Sequence, residues 1–434
     1  MTIKTEDRIQ LFGLLKPEEV LAGFQEFYAN STLVNDFVAV EGKDSWLRGK
    51  RATRLDSQLD WYFDFCSGIG CSVLGHSYSD IGWALMDLIQ NNRCNLLPHN
   101  DWPNEQAVLL AKKLCEITPG NFPKKVFFGN SGAEGVEAAI KACQSRRYHA
   151  GQKDRKVFCA FGGAFHGRTL GALSLNCSKK KHTEAFFDNE GDLSVGTRVK
   201  NRAIPVRHLP FPEKGDEGAI ANFNAILDIL HWRDTNALFL ELMQGEGGIR
   251  VIDLASLQRL VKICRDNNVY LVVDEVQTGL MRTGQMFACN HYDLEPDIII
   301  LGKALGAGYM PISATVFKKE FDFKESGQHS NTFGGGPIAC LAGRVVLDEL
   351  AQNKNKDLLA ENIKILERFA PEGLGLMRRI KFATHKEAQR VADKSFDSRL
   401  VVIEAGHSAI RLMPPINTNP DMLEYAIKRL QSVL

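Results

Sequence analysis

Three short stretches of this 434-residue chain place reactive side chains directly after apolar runs. The first is Asn130-Ser131-Gly132-Ala133-Glu134-Gly135, which follows Val126-Phe127-Phe128. Backbone N–H groups free at a helix start, the Ser131 hydroxyl and the missing side chain at Gly132 would cradle an anion such as phosphate. The same residues equally suit an ordinary strand-to-helix turn with Ser131 as its N-cap. The second stretch, Val272-Val273-Asp274-Glu275-Val276-Gln277-Thr278-Gly279, delivers a carboxylate to the end of an apolar strand. Buried there, Asp274 needs a cationic partner such as a protonated ring nitrogen or a metal; capping a turn is the plainer alternative. In the third, Ile298-Ile299-Ile300-Leu301 runs into Gly302-Lys303-Ala304. A desolvated lysine titrates low enough to act as an amine nucleophile and form a Schiff base, and small neighbours leave room for a planar group above it. A lysine after a strand is more often solvated, so its weight comes from the cradle and the buried aspartate beside it in the chain.

These groups act together only if the fold brings strand ends to one edge. Strands are expected at Lys125–Phe128, Val157–Phe161, Ala237–Leu242, Val269–Asp274, Asp297–Leu301 and Ile312–Phe317, with helices at Glu105–Ile117, Ala133–Arg147 and Leu254–Asn267. Asp253 is placed to cap the last of these. The alternation predicts an α/β fold, a mainly parallel sheet covered by helices, whose ligands bind beyond the carboxyl ends of the strands. After Pro337 the pattern changes to two helices, short strands near residues 376–382 and 400–405, and a closing helix from Asp421. The expected organisation is a large domain over residues 61–336, a smaller α+β domain over 337–434, and an N-terminal segment, 1–60, packed with the smaller one.

Composition narrows the class of function. Hydrophobic residues make up 44% and charged residues 24% of the chain, close to the globular average and unlike a disordered or fibrous protein. Lys and Arg total 53 against 52 Asp and Glu, so no bulk field favours a polyanion or an acidic membrane. A small-molecule substrate is expected, with neither nucleic acid nor membrane as partner. The ten cysteines form no C-x-x-C, the eleven histidines lack metal-ligand spacing, and no apolar run is long enough to span a bilayer. A cytoplasmic protein without a metal site is expected. No internal repeat is visible, and Lys179-Lys180-Lys181 reads as a solvated loop.

Taken in order, the motifs resemble the class III, or ω-amino acid, aminotransferases of the pyridoxal phosphate type I fold. The matching pieces are Ser131-Gly132-Ala133-Glu134, Phe165-His166-Gly167-Arg168-Thr169-Leu170, Glu241 with Gln244-Gly245-Glu246-Gly247-Gly248, Asp274 to Gly279, Gly302-Lys303, Thr332-Phe333-Gly334-Gly335, and Ile410-Arg411 before Pro414-Pro415. The resemblance implies pyridoxal 5'-phosphate as cofactor, with Lys303 as its Schiff-base lysine and proton shuttle. Asp274 would hold the pyridine nitrogen protonated, so that the ring becomes an electron sink. Phe165, with His166 beside it, and Val276 would flank the ring, and Gln277 would bond its phenolic oxygen. Ser131, Gly132 and Ala133 would bind the phosphate, joined by Thr332 of a neighbouring subunit in a homodimer with shared active sites, alone or paired into a tetramer. Arg168 would clamp one substrate carboxylate and Arg411 the α-carboxylate of the keto acid, with Glu246 neutralising Arg411 when the donor lacks that group.

The function so implied is transfer of the terminal amino group of an ω-amino or diamino acid (4-aminobutyrate, ornithine, acetylornithine or lysine) to 2-oxoglutarate. The Gly163-to-Arg168 spelling is similar to the aminobutyrate and lysine branches. An amino-acid racemase or epimerase of the same fold is the alternative. The sequence departs from the family at Leu242, where a proline is usual, at Gly336, where an asparagine is usual, and in a shorter stretch between Lys356 and Gly373. That last departure bears on the part of the chain presenting Arg411.

Overall fold

The computed structural model describes residues 16–27, 37–51, 59–91, 93, 101–187, 198–199 and 202–434. Its centre is an eight-stranded sheet, in spatial order Lys124–Gly129, Ser313–Lys318, Ile298–Leu301, Tyr270–Asp274, Thr235–Leu240, Val157–Phe161, Val206–Leu209 and Arg198–Val199. The run from Ile298–Leu301 across to Val206–Leu209 is parallel, while Ser313–Lys318 and Arg198–Val199 pair antiparallel with their neighbours. The mainly parallel sheet expected from the sequence is therefore present.

Strand side chains alternate between two cores. Phe158, Ala160, Phe239, Val272, Ile298 and Ile300 pack with Val136, Ala139, Ile140 and Cys143 of the helix Gly132–His149. Cys159, Phe161, Leu238, Leu240, Leu271, Val273 and Leu301 face the other way, toward the helices Glu217–Ile229 and Leu254–Asp266. Because both faces are covered, the central strands are apolar throughout, and their polar residues fall at the ends. The helix from Leu254 starts as expected, with the Ser256 N–H donating to Asp253 Oδ2 at 2.8 Å.

Two four-stranded sheets flank this centre. One joins Phe37–Lys43, Trp46–Arg51 and Asp60–Asp64 to Leu400–Val401, so strands from both ends of the chain share it. The other is antiparallel, in the order Glu372–Leu374, Met377–Lys381, Ala409–Leu412, Ile403–Ala405. The helices Pro337–Ala351, Asn353–Phe369 and Pro420–Gln431 follow the expected pattern. A further helix, His385–Asp397, was not anticipated, although Thr384 and Glu387 form its capping box. Among the described residues no helix is long and apolar enough to cross a membrane.

Beside Asp274, Glu275 has a different task. It is fully enclosed, and its carboxylate accepts from Thr278 Oγ1 at 2.6 Å, Ala288 N at 3.0 Å and Cys289 N at 2.8 Å, tying the strand end to the following turns. Glu275→Ala should destabilise the protein by roughly 3 kcal/mol or more, since it strands several buried donors at about 1–3 kcal/mol each. Urea unfolding of the variant would check this; a midpoint equal to wild type would mean that these bonds are replaced by water.

Candidate active site

The five parallel strands end at one edge of the sheet, and a cavity of about 330 Å³ lies there. Its wall includes Gly132, Ala133, Phe165, His166, Arg168, Glu241, Glu246, Asp274, Val276, Gln277 and Lys303. Of the residues expected from the sequence, these ten apart from Glu241 come together around one space. Ser131 does not line it; it is the helix N-cap, its Oγ accepting from Glu134 N at 3.3 Å. Arg411 reaches the cavity through Glu246. Thr332 lies outside the wall on an exposed turn, next to Phe333, which is 73% exposed.

Lys303 follows the strand Ile298–Leu301 and opens a short 3-10 turn. Its φ of +40° is in the left-handed region, which a residue with a side chain enters at a cost of order 1–3 kcal/mol. Burial pushes its amine below the usual lysine range, and Arg411 adds to this, while Cys71, Asp274 and Glu246 oppose it. A low amine is what a nucleophile and proton carrier needs near neutral pH.

Asp274 terminates the neighbouring strand Tyr270–Asp274. Its Oδ1 accepts from Val276 N at 3.0 Å, and its Oδ2 accepts from His166 Nδ1 at 2.8 Å. For His166, burial opposes the charged ring, but the bond to Asp274, its charge and that of Glu241 prevail and raise the pKa. His166 thus belongs to the carboxylate's surroundings, a position that its motif alone did not specify.

Glu241 was visible only as part of a motif, without a role. It sits just past the strand Thr235–Leu240, which ends two residues earlier than its apolar run suggested, and Leu242 is buried outside the strand. Glu241 accepts from Phe165 N at 3.0 Å and from Gly245 N at 3.3 Å, so it joins the loop carrying the aromatic wall to the loop carrying Glu246. Burial first, and the charge of Asp274 next, push its carboxyl up to about 7, against His166 and the two N–H donors.

Glu246 and Arg411 form the second charged group. Arg411 Nη2 lies 2.9 Å from Glu246 Oε1, and Arg411 is 3% exposed. Its Nε and Nη1 have no hydrogen-bond partner among the described residues, nor does Gln277 Nε2. Burial works against the Glu246 charge, yet Arg411, then Lys179 and Lys303, hold it below the usual carboxylate range. Lys179 Nζ stands 3.7 Å from Glu246 Oε2. The lysine run is therefore not wholly a solvated loop: Lys180 points outward, but Lys179 turns toward the site. His182, one turn on, is pushed down to about 4 by burial and by Arg168 and Lys179, and its Nε2 is 3.3 Å from Arg168 Nη2.

At Gly132 an added Cβ would come within 2.8 Å of Val276 Cγ1, so the helix start and the cavity wall can meet only through glycine. The helix behind it runs to His149 and presents its free N–H groups and positive end to the cavity.

The chain is similar to known proteins over nearly its whole length. Residues 46–434 match the family described as Aminotransferase class-III. The acetylornithine aminotransferase of Aquifex aeolicus (strain VF5) is 32% identical over 410 residues, covering 93% of this chain and 99% of that protein. Two crystal structures of the ornithine aminotransferase from Toxoplasma gondii superpose with TM-scores of 0.80 and 0.79 at 24% and 25% identity, each covering 100% of this chain and 98% of the other. The second was crystallised with oxidised glutathione and has partial occupancy of pyridoxal phosphate at its active site.

Glu241 offers a test by pH. Its raised carboxyl favours the protonated form, so the stability it contributes is present below about 4.5 and is lost as pH rises through about 7. Glu241→Gln keeps the shape and never ionises. Its stability relative to wild type should increase between pH 5 and pH 8, measured by denaturant unfolding of the cofactor-free protein. A constant difference across that interval would show that Glu241 titrates normally.

Proposed function

The chain belongs to the class III aminotransferases, which depend on pyridoxal phosphate, and from that premise we propose that it transfers the terminal amino group of an ω-amino or diamino acid to 2-oxoglutarate. The observation that carries the reading is the Glu246–Arg411 pair beside Lys303. A buried arginine with one N–H on a mobile-length carboxylate side chain and two unpartnered nitrogens suits a carboxylate that comes and goes.

The residues present fit the cofactor. Asp274 supplies the anion for a ring N–H, Gln277 Nε2 an orphaned donor for the phenolic oxygen, and Gly132 and Ala133 an anion cradle at a helix start. When bound, the cofactor supplies the carbonyl that captures an amine and the ring that takes up the electron pair left by the departing proton. Lys303 Nζ, its basicity lowered by burial, would accept and return that proton. Asp274, itself oriented by His166, would hold a proton on the ring nitrogen. Phe165 and Val276 would press on the two ring faces and exclude water.

Arg168 and Lys179 add two further cations to the site, and His182, pushed down to about 4, stays neutral beside Arg168. A donor carrying its carboxylate far from its reactive amine would anchor there, while Glu246 covers Arg411. 2-Oxoglutarate would displace Glu246 and place its α-carboxylate on Arg411 and its second carboxylate on Arg168. A racemase would share Lys303 and Asp274, but the relatives described above are aminotransferases and do not favour that alternative.

We also propose a homodimer with shared sites. Trp83, Met86 and Ile89 project from the helix Ser79–Gln90 at spacings of three and are 67%, 45% and 52% exposed. They are apolar surface that a second copy would cover, and in such a dimer Thr332 would reach the phosphate of its neighbour. Nine described cysteines, all free, fit a reducing compartment such as the cytoplasm.

Four experiments test the reading. Mixing the holoenzyme with 4-aminobutyrate, ornithine, N-acetylornithine or lysine and following the cofactor absorbance should reveal the donor, and borohydride should fix the cofactor on the peptide containing Lys303. Lys303→Ala should abolish turnover; label on another lysine would remove Lys303 from the mechanism. Glu246→Ala should make glutamate a better donor and the ω-amine a worse one, by about 1.5–3 kcal/mol of discrimination, the worth of one charged hydrogen bond. An unchanged ratio of single-turnover rates would rule out the switch.

A further inference from the structure

Glu246 lies at the tip of a hairpin, Met243–Gln244 paired with Arg250–Val251, that is fastened on two sides. Arg250 ties it to the large sheet, donating from Nη2 to Gly162 O at 2.6 Å and from Nε to Gln244 Oε1 at 3.0 Å. Arg379 ties it to the C-terminal sheet, donating from Nη1 to Gly248 O at 2.6 Å. Gly406 N of that sheet's edge loop donates to Glu246 O at 3.0 Å, and a Cβ on Gly406 would lie 2.8 Å from Gly248 Cα.

Arg379 is also the direct antiparallel partner of Arg411. Opposite residues in such a pair project from the same face, so two buried cations stand side by side, 6% and 3% exposed. That arrangement is tolerable only if each has its own anion. Arg379 has Glu372, reached from Nε at 3.0 Å and from Nη2 at 2.6 Å, and Glu213, reached from Nη2. Arg411 has Glu246.

We propose that Arg379 is a positioning residue for the carboxylate switch. By binding Gly248 O it fixes the backbone under Glu246 to the sheet that carries Arg411. With Glu213 and Glu372 as its own anions it does not compete with Arg411 for Glu246, whose other cation is Lys179 at 3.7 Å. Any movement of the C-terminal sheet then carries Glu246 and Arg411 together, and only the Glu246 side chain changes place between half-reactions. One guanidinium serves three acceptors here, which a lysine ammonium cannot do in the same plane. The inference rests on the switch reading given under the proposed function.

The test compares single-turnover rates of the holoenzyme with glutamate and with the ω-amine in wild type, Glu246→Ala, Arg379→Gln, Arg379→Lys and the Glu246→Ala/Arg379→Gln double variant. Arg379→Gln should shift the ratio about tenfold toward glutamate, equivalent to ~1.4 kcal/mol, and should add less than twofold once Glu246 is gone. Arg379→Lys, which keeps the charge, should shift it in the same direction; should the glutamine variant fail to fold, this one carries the comparison. Without cofactor, amide hydrogen exchange at residues 245–249 should rise at least tenfold in either variant. If Glu246→Ala moves the ratio and neither Arg379 variant does, this inference fails and the switch stands. If Glu246→Ala itself moves nothing, both fall. A shift by Arg379→Gln that is undiminished in the double variant would place its action elsewhere and overturn the proposal.

Discussion

The hydrogen bond from His166 to Asp274 is the contact on which the site's geometry hangs. It joins the loop after Val157–Phe161 to the end of Tyr270–Asp274, two strands separated in the sheet by Thr235–Leu240. Glu241, at the end of that intervening strand, completes the span by binding the Phe165 backbone. Three adjacent parallel strands thus end in two carboxylates and one imidazole, all buried. Two neighbouring carboxylates in a low-dielectric site repel each other's charge, and the imidazole of His166, bonded to Asp274, opposes that repulsion. The raised carboxyl of Glu241 and the raised imidazole of His166 are two sides of this one arrangement.

A second electrostatic constraint operates across the cavity. The antiparallel C-terminal sheet brings Arg379 and Arg411 into register, and the hairpin with Glu246 closes over them. Buried arginines are costly unless bound, so the carboxylates of Glu213, Glu372 and Glu246 are structural requirements as much as functional ones. What distinguishes Arg411 is incompleteness. Arg379 has both faces of its fork engaged, whereas Arg411 keeps two nitrogens without a partner among the described residues.

How much of this could be read from the sequence depends on the range of the interaction. Lys303, Asp274 and the helix start at Gly132 were legible because a parallel sheet buried on both faces writes its strands as apolar runs and its functional residues as the polar punctuation after them. The same signal overshot at Leu242, an apolar residue buried beyond the strand. Lys179 was misread because a run of three lysines carries no hint that an extended residue before a 3-10 turn aims one of them inward. The alignment of Arg379 with Arg411 depends on register between strands about thirty residues apart, which no local pattern fixes. Thr332 points to a limit of another kind, since it is exposed and lies outside the cavity wall of its own chain.

The charges around Lys303 suggest why one cavity can serve two unlike substrates. Arg411 lowers the lysine's affinity for a proton and Glu246, the smallest of the causes acting on the amine, offsets part of that effect. If Glu246 withdrew with nothing in its place, the uncovered guanidinium would depress the amine further and carry its own desolvation cost. On the proposed switch, a substrate carboxylate arriving on Arg411 would restore the missing negative charge at the same point. The net charge near Lys303 would then be the same in both half-reactions, with Glu246 supplying it in one and the substrate in the other. That constancy would keep the basicity of Lys303, the proposed proton carrier, alike in the two half-reactions.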